Sequence, residues 1–309
     1  MPARPQRPRV GLLYNPSTPA LLAHAPALVE HLSAMPDRLW FDFGQEAAGP
    51  RRFHRLHPAI AELAADARGR SLAGHGLGLS LPSAMPLDEA MLGAVGEVSS
   101  ALGGFDWYSE HLSVFVTPQA RVPNAQAGLG LPVAYDEEML ELLAPKLRRL
   151  SGALGCRVLL ENPALFTPVP EMDFSEPEFL NRLHRDGACG TLLDLHNLLV
   201  CARNGAADPR AYLEALDPDA VEEVHLAGGD EFGGFYMDSH AALTPPEVWD
   251  WAHAFLPRCR RLRAISFEYQ ESYFELLGLP ALTRELERMH ELAQCCCILP
   301  AAEAACHAG

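Results

Sequence analysis

Short apolar or alternating runs recur along the chain, separated by segments whose apolar residues return every three or four positions. The runs are VGLLYN (10–15), LWFDFG (39–44), SLAGHGLG (71–78), FDWYSEHLSV (105–114), CRVLLENPAL (156–165), CGTLLDLHN (189–197), VEEVHLAGG (221–229) and LRAISFEYQ (262–270). Each reads as a strand. Between them ALLAHAPALVEHL (20–32), DEEMLELLAPKLRRLSGAL (136–154) and PPEVWDWAHAFL (245–256) read as helices, the last with Pro in its first turn. Eight strands alternating with helices call for parallel crossovers and predict a closed α/β (β/α)8 TIM barrel. A doubly wound open sheet is the rival, but it gathers ligands at one topological switch instead of at most strand ends. The barrel is expected to be one domain over 1–309, with flexible tails at about 1–9 and 298–309. The longest expected loop, TPQARVPNAQAGLGLPVAY (117–135), follows the fourth strand and is placed to fold over a site; GGDEFGGFYMDSH (228–240) is a second, rich in Gly and aromatic residues.

The strand placement puts ionisable residues into register. His75 lies near the end of the third strand, His111 ends the fourth and Glu161 follows VLL in the fifth. Asp194 and His196 stand two apart in the expected sixth strand, so their side chains share a face. His225 takes the same relative place in the seventh, Asp238 and His240 are again two apart in the following loop, and Glu268 comes late in the eighth. All nine converge on the C-terminal mouth, where barrel enzymes keep their chemistry. A single histidine in a strand is more often a hydrogen-bonded core residue than a ligand. Several carboxylates and imidazoles gathered at one barrel end are different, because they repel or remain unsatisfied without cations or a dense network. The set offers N and O donors and no Cys, which suits Fe, Mn or Zn in a site of more than one ion. Glu161, from the middle strand, is the candidate bridge; His75 and His111 serve one ion, Asp194, His225 and Glu268 its neighbour, and Asp238 with His240 completes another shell. His196 is a ligand, an outer partner or an acid–base group. Asn197 and Asn162 are candidates for orienting a ligand or substrate.

Composition narrows the setting. A formal net charge of −16 with no basic run argues against nucleic acid as the partner. No stretch reaches eighteen uninterrupted apolar residues, and the Pro-broken start MPARPQRPRV leads into no signal-like run, so neither a membrane span nor export is expected. The eight Cys, several inside apolar runs, fit cytosolic thiols, and the triplet at 295–297 points its side chains apart, a poor tetrahedral metal site.

Taken in order, GHGLGLSL (74–81), SEHLSV (109–114), LLENP (159–163), LLDLHNLLVCARNG (192–205), VHLAGG (224–229), DSHAALTPPEVW (238–249) and SFEYQ (266–270) resemble the multinuclear iron family DUF692, also called UPF0276, over residues 10 to 295. The resemblance implies a xylose isomerase-like TIM barrel and an oxidase that uses dioxygen to modify cysteine in a ribosomally made peptide. Its cofactors are two or three Fe ions cycling between Fe2+ and Fe3+, with Mn or Zn as alternatives. Its metal residues are His75, His111, Glu161, Asp194, His225, Asp238, His240 and Glu268. The implied partners are a Cys-containing precursor peptide and a separate protein that recognises it. His196 stands where many relatives have Asn, Gly229 where HLAGH is frequent, and Gln270 where an acid is common; VGLLYNPS lacks the common Gly-Leu-Arg element and LWFDFG the expected glutamate. The alternatives are a metal-dependent hydrolase or isomerase of the xylose isomerase or endonuclease IV type, without oxygen consumption, and a non-catalytic metal-binding protein.

Overall fold

The computed structural model describes residues 7–43, 52–116, 126–170 and 172–296. The strands in chain order are β1 (Arg9–Leu13), β2 (His31–Ala34), β3 (Trp40–Asp42), β4 (Phe53–Arg55), β5 (Ser71–Gly76), β6 (Trp107–His111), β7 (Val114–Val116), β8 (Gln126–Leu131), β9 (Arg157–Glu161), β10 (Gly190–Asp194), β11 (Val221–Leu226), β12 (Gly228–Phe232), β13 (Phe235–Ala242) and β14 (Ala264–Phe267). The helices are α1 (Thr18–His24), α2 (His57–Asp66), α3 (Glu89–Ala101), α4 (Glu137–Leu154), α5 (Glu176–Arg185), α6 (Leu195–Arg203), α7 (Pro209–Ala215), α8 (Pro246–Phe255), α9 (Phe274–Leu277) and α10 (Leu279–Gln294). Eight strands close a barrel in the order β1-β14-β11-β10-β9-β6-β5-β2, and β3-β4, β7-β8 and β12-β13 form separate hairpins. This is the predicted (β/α)8 architecture.

By backbone contacts the chain groups into two compact units, residues 1–32, 164–168 and 191–309, and residues 33–163 and 169–190. In the first, β11 pairs in parallel with β14, level at His225 and Ser266, and β14 pairs with β1. In the second, β6 pairs in parallel with β5 and β9, level at His75 and Ser109 and at His111 and Glu161. Strands such as β5, β10 and β11 are buried at every residue, as parallel strands covered on both faces must be.

The helices follow from local chemistry. Asp136 accepts the Met139 backbone N–H at 2.8 Å to start α4, and Gly155, at φ +67°, ends it in the left-handed conformation that glycine takes without a Cβ clash. Leu140, Leu143, Leu147 and Leu150, spaced three or four apart, form its buried face. In the other unit Trp249 of α8 is fully buried, with the Arg288 guanidinium 4.0 Å from its ring centroid. Trp249→Ala is expected to cost about 3–5 kcal/mol in denaturant unfolding, the range for emptying a large aromatic site. A change within about 0.5 kcal/mol, the size seen at ordinary surface positions, would contradict a core role.

Several expectations are corrected. The second barrel strand is His31–Ala34, inside the segment read as a helix over 20–32; the helix there is α1, and a 3-10 turn over Pro26–Leu28 follows it. LWFDFG supplies the hairpin strand β3 instead, pairing antiparallel with β4. LHNLLVCAR is helix α6, so the sixth strand ends at Asp194 and His196 is helical. The segment 228–240 is the hairpin β12-β13 and not a loop, and 126–131 of the expected long loop is β8, paired antiparallel with β7. Residues 117–125 of that loop, and the expected tails at 1–6 and 298–309, lie outside the described residues. Cys156, Cys189, Cys201, Cys259, Cys295 and Cys296 are free thiols, and among the described residues no helix is long and apolar enough to cross a membrane.

Candidate metal centre

The first cluster is built by three neighbouring strands of one unit. β5 delivers His75, β6 His111 and β9 Glu161, each at or one residue before the C-terminal end of its strand. One donor atom from each lies within 4.8 Å of the others. His111 Nδ1 is 2.9 Å from Glu161 Oε2, His75 Nε2 is 3.5 Å from the same oxygen, and the two imidazoles face each other with Nε2 to Nε2 at 3.1 Å. His75 and Glu161 are buried and His111 nearly so. The tautomer of His75 follows from a neighbour. The Ser109 hydroxyl donates to the Gly74 carbonyl at 3.2 Å, so its oxygen accepts from His75 Nδ1–H at 2.8 Å and leaves the Nε2 lone pair facing Glu161.

The loop after β5 is tied down by two further acids. The Asp37 carboxylate accepts the Leu77 backbone N–H at 3.0 Å, and Glu110 accepts the Leu79 backbone N–H as well as the Tyr108 hydroxyl, the latter at 2.9 Å. Burial pushes Glu110 well above the usual carboxylate range, helped by the charge of Asp37, and it raises Asp37 too, against the hydrogen bonds from Leu77 and Gly78.

The second cluster belongs to the other unit and forms a continuous chain of alternating imidazoles and carboxylates. His225 Nδ1 is 2.7 Å from Glu268 Oε1, and Glu268 Oε2 is 3.3 Å from His240 Nε2. His240 Nε2 is 2.9 Å from Asp238 Oδ1, which is 3.0 Å from His196 Nδ1. His196, Asp238 and His240 offer donor atoms within 4.8 Å of one another. Burial lowers the His240 pKa, but the charges of Asp238 and Glu268 outweigh it and hold the imidazole up at about 10. Asp238 is held well below the usual carboxylate range, burial being outweighed by His240 and His196. His240 sits at φ +51°, a left-handed conformation costing about 1–2 kcal/mol in a residue with a Cβ. That backbone turn aims its ring at the two carboxylates.

Asp194 ends β10 level with His225 of β11 and does two jobs. Its Oδ1 accepts the Asn197 backbone N–H at 2.7 Å and starts α6, while its carboxylate stays buried at the strand end. His196 therefore comes from the first turn of α6 rather than from the strand face of Asp194. Its Nε2 lies 3.4 Å from the Tyr236 hydroxyl, which also accepts the Gly229 N–H at 3.1 Å. Asn162 and Asn197 are buried, Asn162 directly after Glu161 at the end of β9.

Three contributors escape a reading of histidines and strand-end acids: Ser109, Tyr236 and Glu223. Glu223 lies on β11, fully buried, and its Oε1 accepts the Ser266 hydroxyl at 2.8 Å with His225 Nε2 at 3.3 Å and His31 Nε2 at 3.4 Å. Burial alone would raise this acid, but the hydrogen bonds from His225 and His31 hold it well below the usual range. Its signal in the sequence is V-E-E-V-H, an acid two positions before a strand histidine and therefore on the same face.

Fold and strand-end donors together define a xylose isomerase-like (β/α)8 barrel with two clusters suited to metal ions. Among solved structures, the chain is similar to the IOLI protein with a binding zinc atom (TM-score 0.57, 14% identity, 92% of this chain and 98% of that one) and to D-psicose 3-epimerase from Clostridium cellulolyticum (TM-score 0.53, 10% identity, 93% and 98%). At those identities the likeness is one of fold. The family is fixed by sequence: residues 23–294 match the model described as RiPP precursor modification enzyme MbnB/TglH/ChrH. UPF0276 proteins of Chromobacterium violaceum and Bordetella pertussis are 35% and 33% identical, over 73% and 81% of this chain and 78% and 84% of theirs. The chain is a member of this family, whose enzymes modify ribosomally made precursor peptides.

Proposed function

We propose that the chain is an iron-dependent oxidase that uses dioxygen to modify a cysteine-containing ribosomally made peptide or a related thiol. The observation that carries the metal part is the alternation of imidazole and carboxylate through the two clusters, all N and O donors at strand ends, on the hairpin beside them or, for His196, in the first turn of α6. That donor set fits two or three ions of iron, with Mn or Zn as the competing metals. Peptide modification is the family's work.

Bound iron supplies one-electron oxidation and a coordination position for the substrate thiolate. The chain's residues do the rest. His75, His111 and Glu161 hold one ion, and Asp194, His225 and Glu268 hold a second. Asp238 and His240, joined by His196, complete a third shell. Ser109 fixes the donor nitrogen of His75. Asn162 and Asn197 orient a ligand or substrate from beside Glu161 and Asp194. A separate partner protein presents the precursor peptide.

Anaerobic purification with metal analysis, followed by oxygen exposure in the presence of a cysteine-containing peptide, tests this. Two or three iron ions per chain, oxygen uptake and a mass change in the peptide are expected. Stoichiometric zinc, with no oxygen uptake after iron reconstitution, would sink the oxidase reading in favour of hydrolase or isomerase chemistry.

A further inference from the structure

The second cluster rests on an acid that the metal reading does not use. Glu223 and His225 alternate on β11 and share a face, and Ser266 stands level with His225 on the neighbouring strand. The Glu223 carboxylate is 3.3 Å from Nε2 of His225, while Nδ1 of the same ring is 2.7 Å from Glu268. The two nitrogens of one imidazole thus face two different carboxylates, one on each side. A neutral imidazole carries one proton and one lone pair. Two assignments exist, and only one lets His225 bind an ion beside Glu268: the proton on Nε2, donated to Glu223, and the lone pair on Nδ1.

We propose that Glu223 is the positioning residue of this metal centre, fixing the tautomer and orientation of His225 and strengthening Nδ1 as a donor. The proposal rests on the metal reading of the cluster. Glu223 is suited to the role because it is tethered from elsewhere. The Ser266 hydroxyl donates to the same oxygen at 2.8 Å, and His31 on β2 approaches it at 3.4 Å. Its carboxylate therefore cannot swing toward the ion without abandoning these partners, and all four side chains are fully buried. A buried anion pulling on the far N–H makes an imidazole a stronger ligand and holds its ring plane, the arrangement in which histidine ligands are commonly supported. Ser266 also limits that pull, because it competes for the same oxygen.

The test uses the full chain loaded with Co(II). Co(II) affinity is read by optical titration, and the exchangeable imidazole N–H of His225 by its paramagnetically shifted proton resonance. Glu223→Gln keeps the shape and removes the charge. It is expected to weaken one class of site about 10–100-fold, the usual cost of losing an outer partner, and to shift the N–H resonance. The class formed by His75, His111 and Glu161 should keep its affinity. Ser266→Ala removes the competing donor, so the carboxylate pulls harder and the same resonance is expected to move in the opposite direction from Glu223→Gln. Ser266→Ala also serves if Glu223→Gln does not fold, since an unmoved resonance in it overturns the proposal by itself. A Glu223→Gln chain with wild-type affinity and resonance overturns the role, as does weakening spread evenly over all sites with a lower melting temperature, which is a packing effect. Wild-type protein that takes up no Co(II) removes the metal reading itself, and the two failures are thereby told apart.

Discussion

Glu161→Ala is expected to empty the first cluster of metal. The carboxylate is the only anion of that triad, and its Oε2 lies between the two imidazoles, 2.9 Å from His111 Nδ1 and 3.5 Å from His75 Nε2. Without it, two imidazoles face each other at 3.1 Å in a largely buried place, and a divalent ion there would lose the one carboxylate of the triad that offsets its charge. The loss should exceed the about 10–100-fold that removal of an outer partner costs. His111→Ala, which withdraws the other close donor, should act in the same direction. Metal content per chain by mass spectrometry, with circular dichroism as the check on folding, measures both. Unchanged metal in both variants would end the assignment of this triad as a ligand set.

Those residues were legible because barrel geometry does part of the reading. Once an apolar run is taken as a parallel strand, its last residues must stand at that strand's C-terminal end, as His75, His111 and Glu161 do on β5, β6 and β9, and Glu268 directly follows β14. One barrel strand was not legible. His31–Ala34 is a four-residue strand buried on both faces, so it lacks alternation, and the apolar residues before it repeat at helical spacing. A short run of that kind carries no period to tell strand from helix. The break at Asp194 did leave a trace: Leu195, Leu198 and Leu199 recur at helical spacing, with Arg203 in the last turn and Gly205 just beyond. Asp194 preceding them is a good N-cap. Taking the apolar residues of LLDLHNLLVCARNG as one strand missed that cap. The error is chemical as well as geometric, because it gave His196 the face of Asp194, whereas the helix turns it toward Asp238.

His196 and Gly229 are two departures that the structure explains together. A Cβ on Gly229 would lie 3.0 Å from His196 Nε2 and 2.0 Å from the backbone oxygen of Met237. The imidazole at 196 thus reaches into the space in front of the position where HLAGH carries its second histidine, and no side chain fits at 229 while the hairpin keeps its place. The second contact is the decisive one, since Met237 precedes Asp238 and a backbone atom cannot rotate away. Gly229→Ala must therefore displace β13, carrying Asp238 from its 3.0 Å contact with His196 and His240 from its 3.3 Å contact with Glu268, and stretching the Gly229 N–H bond to the Tyr236 hydroxyl. The variant is expected to lose about 1–3 kcal/mol of stability, the usual cost of overpacking, and the metal of the His196, Asp238 and His240 cluster with it. The His75, His111 and Glu161 cluster should stay loaded. His196→Asn opens the same space without adding a clash in the hairpin, so it should weaken that one cluster and leave the His75, His111 and Glu161 cluster loaded. If Gly229→Ala retained full metal and wild-type stability, the close fit of hairpin and imidazole would be wrong. If His196→Asn bound metal as tightly as wild type, His196 would be an outer neighbour of Asp238 and not a ligand.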